Sequence, residues 1–154
     1  MIVRGWHLVG HPLFLEQLER LTAAVERARA KDPDGYRTGA NAKLLSALNH
    51  LVFERIPADP ARPEYRQGGT LGPERRHWFR AKFGGQRFRL FFRYSSEARV
   101  IIYAWVNDRD TLRSRGARTD PYAVFSTMLD RNTPPDDWEA LLAASVGLDA
   151  ADEG

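Results

Sequence analysis

Arg76-His77-Trp78-Phe79-Arg80-Ala81-Lys82-Phe83-Gly84-Gly85-Gln86-Arg87-Phe88-Arg89-Leu90-Phe91-Phe92-Arg93 is two alternating runs around a pair of glycines. Gly-Gly between such runs is a two-residue hairpin signal, because both central positions of a type I′ turn need φ > 0. Closing the hairpin there sets Lys82 opposite Arg87, Arg80 opposite Arg89, Trp78 opposite Phe91 and Arg76 opposite Arg93. The other face then pairs Phe83 with Gln86, Ala81 with Phe88, Phe79 with Leu90 and His77 with Phe92. One register thus sorts both strands into an apolar side and a basic side. Like charges placed opposite each other cost up to about 1 kcal/mol per pair. Three such pairs on one face imply a polyanion to meet them.

The rest of the chain frames that hairpin. At 154 residues it fits one domain, expected over 1–146 with a frayed acidic tail at 147–154. A domain of this size buries about 70% of its unfolded surface. No apolar run approaches a membrane span, and the Met1–Trp6 start lacks the pattern of a signal peptide. With no cysteine, disulfides, zinc-thiolate sites and cysteine nucleophiles are excluded, which fits a cytoplasmic location. The net charge of +3 hides an asymmetry. Residues 62–118 carry 14 basic against 5 acidic residues, a net of +9, whereas 119–154 carry 1 against 8, a net of −7. A basic middle points to nucleic acid or another acidic partner. The acidic end either shields that face or keeps the chain soluble.

Before the hairpin, a β-like lead over Ile2–Val9 precedes apolar residues at helical spacing from 12 to 30 (Phe14, Leu18, Leu21, Val25, Ala28). Asp32-Pro33-Asp34-Gly35 ends that helix. A second helix over 40–55 carries Leu44, Leu45, Leu48, Leu51 and Val52, and Pro57 stops it. Residues 57–73 hold four prolines and three glycines and read as a loop, with room for a short strand near Tyr65. After the hairpin, 98–107 reads as a strand apolar on both faces, hence central, with its register open. Asp120-Pro121 reads as an N-cap followed by proline at the first helical position. Thr133-Pro134-Pro135-Asp136 starts a last helix with Trp138, Leu141 and Leu142. The sum is an α+β domain, with N-terminal and C-terminal helices packed on one face of a small, mostly antiparallel sheet.

Several features carry two readings. His7 and His11 have metal-ligand spacing only on a helix, which Gly10 and Pro12 oppose, so no metal site and no cofactor are expected. His77 falls on the apolar face as a core or edge histidine, and His50 is structural. Trp78 and Phe91 could stack RNA bases or pack under a C-terminal helix. Asp108 could be catalytic, pair with Arg113 or cap the following turn.

The chain also resembles a known family. Gly5-Trp6, His11-Pro12, Lys43-Leu44-Leu45, Trp78-x-Arg80-x-Lys82-Phe83-Gly84 and Arg87-Phe88-Arg89-Leu90-Phe91-Phe92-Arg93-Tyr94 are similar to the YhaV family. So are Trp105-x-Asn107-Asp108-x-x-Thr111-Leu112-Arg113, Thr119-Asp120 and Pro134-Pro135-x-x-Trp138-Glu139, in order along nearly the whole chain. The resemblance implies a RelE-like fold and the toxin of a type II toxin–antitoxin module, a ribosome-associated endoribonuclease on mRNA. It implies inhibition by a PrlF-type antitoxin with a swapped-hairpin, AbrB-like DNA-binding domain, and contact with operator DNA only through that antitoxin. Relatives of the RelE-like group use basic residues on the central sheet. Arg89 in Phe88-Arg89-Leu90 takes the strand arginine's place, and Arg80 and Lys82 the preceding basic pair's. Asn107, Asp108, Arg109 and Arg113 match a later basic segment, and Tyr122 is the candidate for a C-terminal stacking aromatic.

RNA is cut without metal when its own 2′-OH attacks the adjacent phosphate, provided the attack is aligned, the phosphorane neutralised and two protons handled. Arginines suit the second task because they stay protonated and offer forked donors. Lys82, flanked by Arg80 and Arg87, has its ammonium form disfavoured and suits the protons. The expected catalytic set is therefore Lys82, Arg80, Arg87, Arg89 and Arg113. Arg76, Trp78, Phe91, Arg93, Asn107, Asp108 and Arg109 are expected to bind RNA. A non-catalytic RNA-binding module on the same face is the alternative, and a basic face for an acidic protein partner is a third.

Overall fold

In the computed structural model, which describes residues 1–148, the chain forms six strands and five α-helices. They are β1 (Ile2–Val3), β2 (Trp6–Gly10), α1 (Pro12–Lys31), α2 (Ala40–His50), α3 (Ile56–Ala58), β3 (Phe79–Phe83), β4 (Phe88–Ser95), β5 (Val100–Val106), α4 (Pro121–Asp130), α5 (Trp138–Ala144) and β6 (Val146–Gly147). The strands make one sheet in the order β1-β2-β5-β4-β3, with β6 also on β2. The sheet is mixed, not mostly antiparallel, because β2 runs parallel to β5. Parallel neighbours need a long crossover. Here it comprises α1, α2, α3 and the hairpin, a connection invisible when Ile2–Val9 is read as a lead without a partner.

The hairpin forms, but two residues out of the expected register. Lys82 faces Arg89, Arg80 faces Phe91 and Phe83 faces Phe88. The loop is four residues, 84–87, because Gly84, Gly85 and also Gln86 take positive φ (60°, 70° and 64°). A shift of two preserves the side-chain alternation, so the division into faces survives while the partners change. None of the three expected cationic pairs forms, and one new like-charge pair takes their place within the strands, Lys82 with Arg89.

Helices cover both faces of the sheet rather than one. Leu8, Leu90, Phe92, Ile101 and Tyr103 pack with Phe14 and Leu18 of α1 and Leu45 and Leu48 of α2. Phe91, Ile102 and Trp105 pack with Trp78, with Tyr122 and Phe125 of α4, and with Leu141 of α5. A bulge in the β4–β5 pairing between Phe91 and Phe92 shifts the register around Ala104. Coverage of both faces explains why β5 is apolar throughout, and the bulge why its register could not be fixed from alternation.

Four smaller expectations change. The second helix continues past His50 through a π turn (Leu51–Arg55), in which the Ile56 N–H donates to the Leu51 carbonyl, and runs to Ala58. Pro57, which has no N–H to give, is carried inside it rather than ending it. The strand near Tyr65 shrinks to a single bridge, Arg66 with Phe79. The last helix is capped by Asp137, not opened by Asp136. Gly147 pairs with Val9, and Leu148, 1% exposed, donates its N–H to the Leu8 carbonyl, so fraying does not begin at 147. The remainder of the expected tail, 149–154, lies outside the described residues. His11 caps α1 through an Nδ1 that accepts the Leu13 N–H at 3.1 Å, and burial pushes its pKa down.

Candidate active site

The start of α4 organises the site. Asp120, buried, accepts the Tyr122 N–H with one oxygen (3.2 Å). Its other oxygen accepts the Ser114 N–H (2.8 Å) and Arg113 Nη1 (2.6 Å). One carboxylate therefore fixes a helix terminus, the preceding loop and a cation. The helix so placed lays Tyr122 edge-on to Phe91, with 5.7 Å between ring centroids. Its hydroxyl then accepts from Arg80 Nε (2.8 Å) and Arg89 Nε (3.3 Å). The Arg113 and Arg89 guanidinium carbons lie 4.8 and 5.8 Å from the Tyr122 ring centroid, within cation–π range.

Each arginine is also tied down from behind. Arg80 Nη1 donates to the Glu64 carbonyl (2.7 Å). Arg89, 4% exposed, donates from Nη1 to the Gln86 carbonyl. The Arg89 N–H donates to Asn107 Oδ1 (2.6 Å), while Asn107 Nδ2 donates to the carbonyls of Arg87 (3.2 Å) and Thr111 (2.8 Å). Among the described residues no hydrogen bond occupies Nη2 of Arg80, Arg89 or Arg113.

Lys82 is exposed beside them. Arg80 holds its pKa below the ordinary lysine value, with smaller downward contributions from partial burial, Arg89 and Arg113 and an opposing one from Tyr122. The expected direction therefore holds, but the second cation is Arg89 and not Arg87. Arg87 lies in the turn, its guanidinium over the Phe88 ring at 5.9 Å.

The remaining candidates separate into other environments. Trp78 and Phe91 are fully buried against Phe125, so neither offers a face to RNA. Arg93 is half-buried between the rings of Trp78 (5.6 Å) and Trp138 (5.3 Å) and donates to the Asp136 carbonyl (2.6 Å). It fastens α5 to the sheet and is removed from the expected RNA-facing row. The Asp136 carboxylate accepts from Trp78 Nε1 (2.6 Å) and pairs with His77 (2.8 Å). Asp108 caps the 109–111 turn in a reciprocal capping box with Thr111, and Arg113 pairs with Asp120 rather than with Asp108. Arg109 turns away to Asn41 (3.2 Å), and Arg76 is exposed ahead of β3. The residues that sequence reasoning underrated are Tyr122 and Asp120. Asp120-Pro121 announced a cap, but nothing local announced that the capped helix would deliver a hydroxyl to two strand arginines.

Three fixed guanidiniums and one exposed lysine can bind a phosphodiester, and the neighbouring cations lower the lysine's pKa. No group of three or more His, Asp or Glu among the described residues could hold a metal ion. No helix among them is long and apolar enough to cross a membrane.

Residues 8–146 match a family model described as "Toxin with endonuclease activity, of toxin-antitoxin system". The chain is 47% identical over 140 residues to "Ribonuclease toxin YhaV" of Escherichia coli strain K12, covering 90% of this chain and 91% of that protein. "Toxin YhaV" of Escherichia coli O157:H7 gives the same identity and coverage. No solved structure matches the chain.

Proposed function

The chain belongs to the YhaV family of toxins with endonuclease activity, and we propose that it cuts mRNA in the cytoplasm by activating the RNA's own 2′-OH. The observation that carries this reading is the convergence of Lys82 with three arginines whose Nη2 groups have no other partner among the described residues. Arg80 and Arg89 clamp the phosphate and stabilise the phosphorane. Lys82 in its neutral form takes the 2′-OH proton as the 2′-oxygen attacks phosphorus, and the P–O5′ bond breaks on the side of Arg113, which neutralises the departing 5′-oxygen while water supplies its proton. The products are a 2′,3′-cyclic phosphate and a 5′-OH, and the route needs no metal. Arg87, displaced into the turn, meets the strand as it leaves the site. The family likeness supports a RelE-like fold, action on the ribosome and neutralisation by a PrlF-type antitoxin, through which alone operator DNA is met. As the toxin of a toxin–antitoxin system the chain has an antitoxin partner.

Expression of the chain alone, with mapping of transcript 5′ ends, tests the proposal. Growth arrest with new 5′ ends that vanish in Arg89→Ala and Lys82→Ala supports it. Arrest without new ends replaces it by a non-catalytic RNA-binding role of the same face. Cleavage at the wild-type rate by Lys82→Ala removes that lysine from the mechanism.

A further inference from the structure

At the end of the sheet where the 84–87 turn lies, a cavity of about 300 Å³ opens between α1, the first turns of α2 and the residues following β5. Leu44 and Phe88 give it apolar walls, Asn41 and Asp108 line it, and Arg20 and Arg109 complete its lining. Its volume is at the small end of ligand pockets, about 300–1,000 Å³, and suits one nucleobase rather than a larger ligand. Gln17 braces one wall by pairing its carboxamide with both the N–H and the carbonyl of Val106 (3.1 and 2.6 Å).

The cavity and the cation cluster share a residue. Asn107 lines the cavity and accepts the Arg89 backbone N–H at 2.6 Å, so the cavity wall is tied to the strand residue whose side chain enters the cation cluster on the other face. Side-chain alternation sends Arg89 towards Tyr122, whereas Phe88 belongs to the α1 side of the sheet. An RNA strand crossing the sheet end past the exposed Arg87 would thus leave its phosphate on one face and carry a neighbouring base to the other.

We propose that this cavity is a base-reading subsite for a nucleotide flanking the scissile phosphate, selective for bases that carry an amino group. The inference rests on the reading of the chain as an RNA-cutting toxin. The Asp108 carboxylate accepts the Asp110 N–H and the Thr111 hydroxyl on Oδ1 and also the Thr111 N–H, three of the about four lone-pair sites that its two oxygens offer. Asn41 Oδ1 accepts from Arg109, which leaves its amide nitrogen without a hydrogen-bond partner among the described residues. A carboxylate with acceptor capacity left favours an amino donor, as guanine, adenine and cytosine supply, over the carbonyl that uracil presents there. Arg20, paired with Glu16, and Arg109 give the base a guanidinium plane to stack on.

The test titrates the full chain with the 3′-monophosphates of adenosine, guanosine, cytidine and uridine, and with inorganic phosphate, following the side-chain amide resonances of Gln17, Asn41 and Asn107. Nucleotides with an amino group should move those resonances, and uridine should bind about fivefold or more weaker. Ala24→Phe, which fills the cavity from α1, should abolish the shifts while the Lys82 response to phosphate persists. Asp108→Asn keeps a capping oxygen and replaces the other oxygen by a donor, so it should turn the preference towards uridine. Equal response to all four nucleotides, the same shifts with phosphate alone, or unmoved amides would each overturn the proposal. If cleavage depends on Lys82 while the amides stay still, the subsite fails alone. If the amides respond but Lys82→Ala and Arg89→Ala still cut, the catalytic reading fails and the subsite stands.

Discussion

Removing a single oxygen, in Tyr122→Phe, strikes the point where the α4 helix meets the two strand arginines. The ring and its contact with Phe91 remain, so the change isolates the hydroxyl. That hydroxyl accepts one short bond from Arg80 (2.8 Å) and one long bond from Arg89 (3.3 Å). A hydrogen bond to a charged group contributes about 1.5–3 kcal/mol net. The longer contact counts for little, Arg80 is only half-buried and recovers water, and Arg89 keeps the Gln86 carbonyl. The expected destabilisation is therefore about 1–2 kcal/mol, a fall in Tm of about 2–8 °C for a chain of this length. Catalysis should suffer more, because displacing a positioned group by about 1 Å can cost about 100-fold. Single-turnover cleavage should fall by about 10- to 100-fold at a temperature where the variant is folded. Thermal unfolding followed by circular dichroism and single-turnover cleavage of end-labelled RNA measure the two effects. Wild-type cleavage in a variant that melts a few degrees lower would refute the argument that Tyr122 aligns the arginines.

Further expectations concern neighbouring parts. Because Lys82 is held below the usual lysine value chiefly by Arg80, cleavage should rise with pH through that lowered pKa, and Arg80→Gln should move the rising limb to higher pH; an unmoved limb in the pH–rate profile contradicts Lys82 as the base. If Lys82, Arg80, Arg89 and Arg113 all meet phosphate, log K for single-stranded RNA should fall with log salt at a slope of about −3, and a flat dependence measured by fluorescence anisotropy argues against both RNA readings. Asn107→Ala strands the Arg89 N–H and two carbonyls around a buried position and should cost about 2–4 kcal/mol in urea unfolding; a cost below half of that would show the turn to be held elsewhere. For Asp136, burial acts to raise the carboxyl pKa, but hydrogen bonds from His77 and Trp78 outweigh it and hold it below its ordinary value. Its contribution is therefore complete above that ordinary value and fades as pH falls through the lowered one. Asp136→Asn should lose about 1 kcal/mol near neutrality and flatten the acid limb of the stability curve, and an unchanged acid limb would remove the carboxylate from that role.

Local chemistry made much of the fold legible. Asp120-Pro121 begins a helix where capping geometry says it should, and the hairpin divides into the two faces that alternation demands. Register was less legible, because it turned on Gln86, a residue without glycine's freedom that nonetheless adopts φ of 64° and lengthens the loop. Parallel pairing of β2 with β5 could not be read at all, since it joins segments some ninety residues apart with no local signature. The site was half legible. Lys82, Arg80 and Arg89 come together because strand periodicity fixes them on one face, whereas Arg93 and Trp78 share that face yet disappear beneath α5. Which part of a basic face stays open depends on where the C-terminal helices land, and that is a tertiary fact.

The most direct test of 2′-OH activation by the Lys82–arginine cluster uses one RNA with a single deoxyribose at a mapped cleavage position, presented on programmed ribosomes. With the unmodified RNA the upstream fragment should end in a 2′,3′-cyclic phosphate and the downstream one in a 5′-OH. With the deoxyribose the RNA should remain whole at that position. Undiminished cutting there, or an upstream fragment ending in a free 3′-OH, would contradict the mechanism.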